Sequence, residues 1–252
     1  MKTLFIIVSV MVILFIATPN KVMAQKGKTA KSFGGTVNKG QKKEILWDFR
    51  KDEIKPQNYS KAETNIVLTY LLGNRRNADL KIARRVFGSF TKANANETLY
   101  YIDGCEEDEG FTIPTDCAHV SWWNAGWIAI YDGTIPKMKI KAALGYDIAR
   151  ITDINNDGIN EFLSLTSYAG MGVSTSRAIL SQIVNGKYKE IKTFSGYYYA
   201  CAVQEKSSRF ANAAVISYVP SPNGTLIFSQ EYFQNKCRNT TWKKITKKQF
   251  EY

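Results

Sequence analysis

The sequence predicts a mainly β domain with one helix near its N-terminal end. Three observations carry that prediction. After about residue 80 the apolar residues fall in short segments rich in β-branched and aromatic side chains. Turn chemistry separates these segments at Asp132-Gly133, Asn185-Gly186 and Pro222-Asn223-Gly224. One stretch, at residues 61–72, has the start and stop residues of a helix.

The helix comes first. Ser60-Lys-Ala-Glu63 is a capping box, in which the Ser60 hydroxyl can accept an orphan amide of the first turn. An apolar run from Ile66 to Leu72 follows, and Gly73 supplies the usual stop. Beyond a polar loop at 74–77, strands are expected at 82–87, 99–102, 127–131, 148–152, 162–168, 178–184, 188–194, 197–203, 214–219 and 226–232. Asn-Gly between two apolar runs marks a tight hairpin, because both residues tolerate positive φ.

The N-terminus reads differently. Lys2 precedes an apolar run from Leu4 to about Ala17, Pro19 breaks it, and Val22-Met23-Ala24 places small residues where signal peptidase cuts. Residues 1–24 are therefore expected to be a secretory signal peptide cleaved near Ala24, making the protein secreted or periplasmic. The apolar run is shorter than the roughly 20 residues that a spanning helix needs, and none is expected in the mature chain. The chain carries a formal charge of +12, about +10 without the first 24 residues. Residues 25–43 hold six lysines and almost nothing apolar, the composition of a disordered basic tail. An exported chain points its positive charge at an anionic envelope surface or at solvent, not at nucleic acid. A single mainly β domain is expected over 44–252.

Four cysteines in an exported chain read as disulfides. Three pairings are open. Cys105–Cys117 and Cys201–Cys237 are favoured because they close the shortest loops.

The most specific motif is Asp153-Ile-Asn155-Asn-Asp157-Gly-Ile159-Asn-Glu161. A hard cation such as calcium takes six to eight oxygen ligands. Side-chain oxygens at alternate positions 153, 155 and 157 can converge as the loop curls, and Gly158 permits the sharp turn. The Ile159 carbonyl and the Glu161 carboxylate would complete the shell. Position 12 is Ser164, where an EF-hand requires a bidentate glutamate, and the flanks are strand-like. A bare Asn/Asp-Gly turn has no need of three spaced carboxylates, so calcium (Ca2+) is the expected cofactor.

This loop, D-x-N-x-D-G-x-x-E followed by an apolar pair, resembles the calcium loop of FG-GAP repeats, the blades of integrin-type β-propellers. The resemblance spans Tyr146 to Leu165 and implies a strand–loop–strand unit near 146–168. Shifted by 64 positions, Ser89–Leu99 aligns without a gap on Asp153–Leu163. Asn96, Glu97 and Leu99 match Asn160, Glu161 and Leu163, while Ser89, Thr91 and Ala93 replace the three oxygen donors. A degenerate unit is thus expected near 82–102. A repeat in the sixties suits a four-stranded blade, so the expected architecture is an irregular or partial β-propeller, with a β-sandwich as the alternative.

Catalytic patterns are sparse. His119 is the only histidine, and neither G-x-S-x-G nor H-E-x-x-H occurs. The expected function is an exported, bacterial-type binding or envelope-structural module without catalytic activity. Two alternatives stand beside it. One is a carbohydrate-active hydrolase using a pair of acids; the acidic loop of Asp103, 106–109 and Asp116 is read separately, as a solvated run, a looser cation site or a face for the basic tail. The other is a carbohydrate-binding module stacking sugars on Trp122, Trp123 or Trp127.

Overall fold

The computed structural model describes residues 42–73, 78–106, 126–142, 145, 147–170, 172–203, 209–220, 226–237, 239 and 241–250. The expected signal peptide, nearly all of the basic tail, the Cys105–Cys117 pairing, His119, Trp122, Trp123 and the 222–224 turn lie outside them.

The chain is mainly β. Twelve described strands run β1 (Glu44–Asp48), β2 (Ala78–Gly88), β3 (Glu97–Glu106), β4 (Trp127–Asp132), β5 (Ile135–Lys141), β6 (Asp147–Thr152), β7 (Glu161–Gly170), β8 (Val173–Val184), β9 (Lys187–Tyr199), β10 (Phe210–Pro220), β11 (Leu226–Lys236) and β12 (Lys243–Ile245). Helix α1 (Lys61–Leu72) follows β1, and the short α2 (Lys247–Phe250) follows β12. Strands β2 to β5 form a four-stranded antiparallel meander. Strands β6 to β12 form a second meander, which β1 joins by pairing with β10. This larger sheet curls into a half-barrel.

Helix α1 begins and ends where its residues dictate. The Ser60 Oγ accepts the Glu63 amide at 3.1 Å, and Gly73, at φ 60°, returns its own amide to the Thr69 carbonyl. Only half of the capping box forms. The Glu63 carboxylate instead takes Arg85 Nη1 at 2.6 Å and the Tyr100 hydroxyl at 3.0 Å, which tethers the helix to β2 and β3. At the other end Lys139 Nζ donates to the Leu71 carbonyl at 3.1 Å, a cation against the negative end of the helix.

The small sheet is covered on both faces, following the period-2 alternation of its strands. Ile82, Ile102, Ala129 and Tyr131 face the helix and pack on Val67 and Leu71. Leu99, Tyr101, Ile128 and Ile130 face the large sheet and pack on Ile148, Phe162 and Ile183. Double coverage is why β4 reads as an unbroken apolar run. A further core fills the inside of the curl, where Leu46 and Trp47 of β1 meet Leu163, Leu165, Leu180, Phe194 and Ile216.

Several expectations need correction. The two strands expected at 188–194 and 197–203 are one strand, β9. Ser176 pairs with Tyr197 and Arg177 with Ser195, so Gly196 is an extra residue bulged out of the ladder. A Cβ there would lie 2.5 Å from Phe49 Cζ and 2.7 Å from the Ser176 carbonyl oxygen, so only glycine fits. Strands β1, β5 and β12 were not expected. The lysine-rich C-terminal end packs on the large sheet, where Phe250 is buried against Ala214 and Tyr232. Asn185 and Gly186 do form the expected two-residue hairpin, both at positive φ (51° and 73°) between paired Val184 and Lys187. Among the described residues no helix is long and apolar enough to cross a membrane.

Candidate metal centre

The loop from Asp153 to Asn160 connects β6 to β7, and Glu161 opens β7. Its second residue, Ile154, is buried in the core of the curl. That insertion drags a backbone amide out of water, and the Glu161 carboxylate accepts it at 3.0 Å. The other Glu161 oxygen accepts Asn155 Nδ2 at 2.9 Å. Asp153 accepts the Gly158 amide at 2.8 Å and, with Asn155 Oδ1, shares the Asp157 amide at 3.1 and 2.9 Å. Asp157 Oδ1 accepts the Ile159 amide at 2.9 Å. Asn156 and Gly158 take positive φ, 56° and 83°. A Cβ on Gly158 would lie 2.8 Å from the Cβ of Ala93, so the turn also needs glycine for room.

Ala93 belongs to the loop between β2 and β3, where the same construction recurs 64 positions earlier. Phe90, fully buried, takes the place of Ile154. Its amide donates to Glu97 Oε2 at 2.7 Å, as that of Ile154 does to Glu161. Gly88 pairs with Glu97 as Thr152 pairs with Glu161. Asn94, at φ 58°, holds the left-handed place of Gly158. Each unit also carries one extra residue in its first strand, between Ile82 and Arg84 and between Ile148 and Arg150. The two loops touch: the Ser89 amide donates to Asn160 Oδ1 at 2.7 Å, and the Asn160 amide to the Ser89 carbonyl at 2.6 Å.

The comparison separates two jobs. In the copy, Glu97 ties the loop by accepting the Phe90 and Thr91 amides and the Thr91 hydroxyl, with no acid at positions 89, 91 or 93. Position 97 or 161 is therefore a backbone tether in both loops. Asp153 and Asp157 are additions that the hairpin itself does not require. They sit close enough to matter electrically. Burial pushes the Glu161 carboxyl up to about 7, and the charges of Asp157 and Asp153 push in the same direction.

The donor set suits a hard cation in type and charge: two aspartates, an asparagine oxygen and a buried glutamate. Each carboxylate oxygen that accepts one amide keeps a further lone pair for a cation. Among the described residues, no three His, Cys, Asp or Glu side chains are gathered as a metal cluster. Binding would have to draw the side chains of 153, 157 and 161 together.

A pH dependence follows in protein stripped of metal. The folded Glu161 holds its proton up to about 7, against an ordinary value of 4.5. The folded chain thus binds more protons than the unfolded chain between those values. Stability from this group is full below about 4.5 and is lost as pH rises through about 7, by about 3 kcal/mol. Glu161→Gln should flatten that segment of a pH series of urea unfolding curves. A wild-type profile level from pH 5 to 8 would contradict the assignment.

The remaining predicted residues do not join the loop. Cys201 and Cys237 form a disulfide between the ends of β9 and β11, with Cα atoms 5.6 Å apart. Trp127 is half-buried on β4 among the helix-facing core residues, with Lys141 Nζ 5.8 Å from its ring. One group of aromatic residues was not anticipated: Trp47, Phe49, Tyr197, Tyr199 and Trp242 line two adjoining hollows. The run Tyr197-Tyr-Tyr199 was the only local sign of it. The chain has no match among protein-family models, curated proteins or solved structures.

Proposed function

We propose that the chain is an exported, bacterial-type binding or envelope-structural module, without catalytic activity, whose β6–β7 loop is stabilised by calcium. The observation that carries this reading is the pair of hairpin loops. They share a frame, a buried tethering glutamate and a left-handed turn residue, and only the second adds acids at alternate positions. The first loop is a frame with no metal chemistry, and the second is the same frame loaded with hard oxygen donors. Calcium bound there would neutralise Asp153, Asp157 and Glu161 and fix the loop, through side-chain oxygens of Asp153, Asn155, Asp157 and Glu161 and the Ile159 carbonyl.

The same reading treats both hairpins as FG-GAP-like units in a partial propeller. Its support is that β2–β5 and β6–β9 are each antiparallel four-strand meanders, packed face to face through Leu99, Tyr101, Phe162 and Ile183. Secretion, or residence in the periplasm, is part of the proposal.

Calcium titration tests it. An ion that binds only the folded state stabilises it by about 2.7 kcal/mol at a hundredfold excess over Kd. The gain should grow from pH 5 to pH 8, because the ligands must be ionised. Magnesium should substitute poorly, since it demands a small octahedral shell. Asp153→Ala or Asp157→Ala should abolish the gain, and Thr91→Ala in the first loop should not. Calorimetry on stripped, folded protein that registers no heat with millimolar calcium would reduce the loop to a turn.

A further inference from the structure

The two adjoining hollows lie on the half-barrel and share Tyr197 as a common wall; they measure about 470 and 500 Å³. Both fall within the usual range of small-ligand sites. Tyr197 and Tyr199 are alternate residues of β9 and so project from one face. Their rings are nearly parallel, 18° apart in plane with centroids at 6.0 Å, and Tyr199 is 38 % exposed. Neither hydroxyl has a hydrogen-bond partner among the described residues. Arg209, its Nε on the Val203 carbonyl at 2.9 Å, lines the same hollow with Asn235 and Lys236, and among the described residues no carboxylate does. The Cys201–Cys237 disulfide also lines it and ties its two walls together.

The second hollow has the opposite polarity. Trp242 and Phe49 supply its aromatic surface, Ser176 a hydroxyl, and Asp52 and Glu53 the carboxylates. Arg50, also at its edge, is spent on Asp48, with Nε at 2.9 Å from one carboxylate oxygen and Nη2 at 2.8 Å from the other. The groove as a whole therefore offers aromatic surface along its length, cations at one end, and hydrogen-bond acceptors at the other.

We propose that this groove binds a short oligosaccharide bearing a carboxylate. Sugar rings present C–H faces that lie on aromatic surface and hydroxyls that need both donors and acceptors. A lipid chain would cover Lys236 and Glu53 with apolar surface, which is costly. The polarity sets the direction: the acidic sugar lies beside Tyr199, Arg209 and Lys236, and a neutral ring lies against Trp242, its hydroxyls donating to Asp52 or Glu53. The proposal rests on the binding-module reading and is independent of calcium, because no residue of the 153–161 loop lines either hollow.

The test is titration calorimetry with a trisaccharide of one glucuronate on xylobiose, its methyl ester, neutral xylotriose and inorganic phosphate, each in chelator and again in calcium. The acidic trisaccharide should bind, with a change in tryptophan fluorescence, and the ester and xylotriose at least tenfold more weakly. Lys236→Gln and Tyr199→Ala should each weaken binding about tenfold while melting like the wild type. Absence of binding to the acidic trisaccharide at millimolar concentration, equal affinity for acid and ester, or phosphate binding as tightly as the trisaccharide would each overturn the proposal. Binding retained in chelator while calcium gives no heat would sink the calcium reading and leave this one standing.

Discussion

Replacing Arg84 with methionine is expected to lower stability by about 3–5 kcal/mol, the usual cost of leaving a buried charge without its partner. Arg84 is 6 % exposed on β2. Its guanidinium grips Asp147 at the start of β6 with Nε at 2.8 Å from Oδ1 and Nη2 on Oδ2, and Nη1 donates to the Lys55 carbonyl at 2.8 Å. This pair joins the edge of the small sheet to the edge of the large one, where no strand ladder connects them. Urea unfolding of Arg84→Met measures the loss. The double variant Arg84→Met/Asp147→Leu should recover most of it, because two apolar side chains leave no stranded charge. A single variant that unfolds within about 1 kcal/mol of the wild type would show that water already screens the pair.

Removing the Cys201–Cys237 bridge comes next in size. The cysteines are 36 positions apart, and closing a loop of that length in the unfolded chain is worth about 4 kcal/mol in the entropic account. The bridge passes from the end of β9 to the end of β11, across the start of β10 that lies between them. Loss of about 4 kcal/mol in Cys201→Ala/Cys237→Ala, and the same loss on adding reductant to the wild type, is the expected result. An insensitive melting curve would mean that β9, β10 and β11 hold the unfolded chain together without it.

What the sequence disclosed depended on the range over which each feature is specified. Helix α1 is set by Ser60 and Gly73 at its ends, and both sit beside the residues they control. The Asn185-Gly186 hairpin is equally local. The hairpin frame around 153–161 was visible because its glutamate, glycine and buried second residue fall within nine positions, and its copy because the offset is constant. Strand β5 escaped because Ile-Pro-Lys-Met-Lys-Ile-Lys is an edge: its lysines guard open hydrogen-bonding groups and leave only Met138 and Ile140 packed on the core. Strand β1 escaped because five residues, Glu44–Asp48, mean little until β10 is there to pair with them. The split of β9 was a misreading of Gly196, which bulges the strand instead of ending it. The aromatic groove was invisible for a simpler reason. Phe49, Tyr197 and Trp242 come from three distant parts of the chain, whereas the tryptophans that do cluster in sequence draw the eye to Trp127, a half-buried residue packed against the helix-facing core.

The lone long-range pairing, β1 on β10, sets an order of events in time. Every other described strand pair joins neighbours in the chain, so each can close a short loop as soon as both strands exist. Strand β1 must wait for a partner far down the chain: the Tyr218 hydroxyl meets Glu44 across 174 positions. Until then Leu46 and Trp47 are missing from the core of the curl, and the inside of the half-barrel is open. During synthesis the segment that emerges early is thus the one that docks late, carrying an apolar Ile-Leu-Trp unprotected in the interval. Pulsed hydrogen exchange during refolding should find the amides of β8 and β9 protected before those of β1. Simultaneous protection would mean that β1 is held near its partner from the outset, and that the unfinished half-barrel never exists as a separate species.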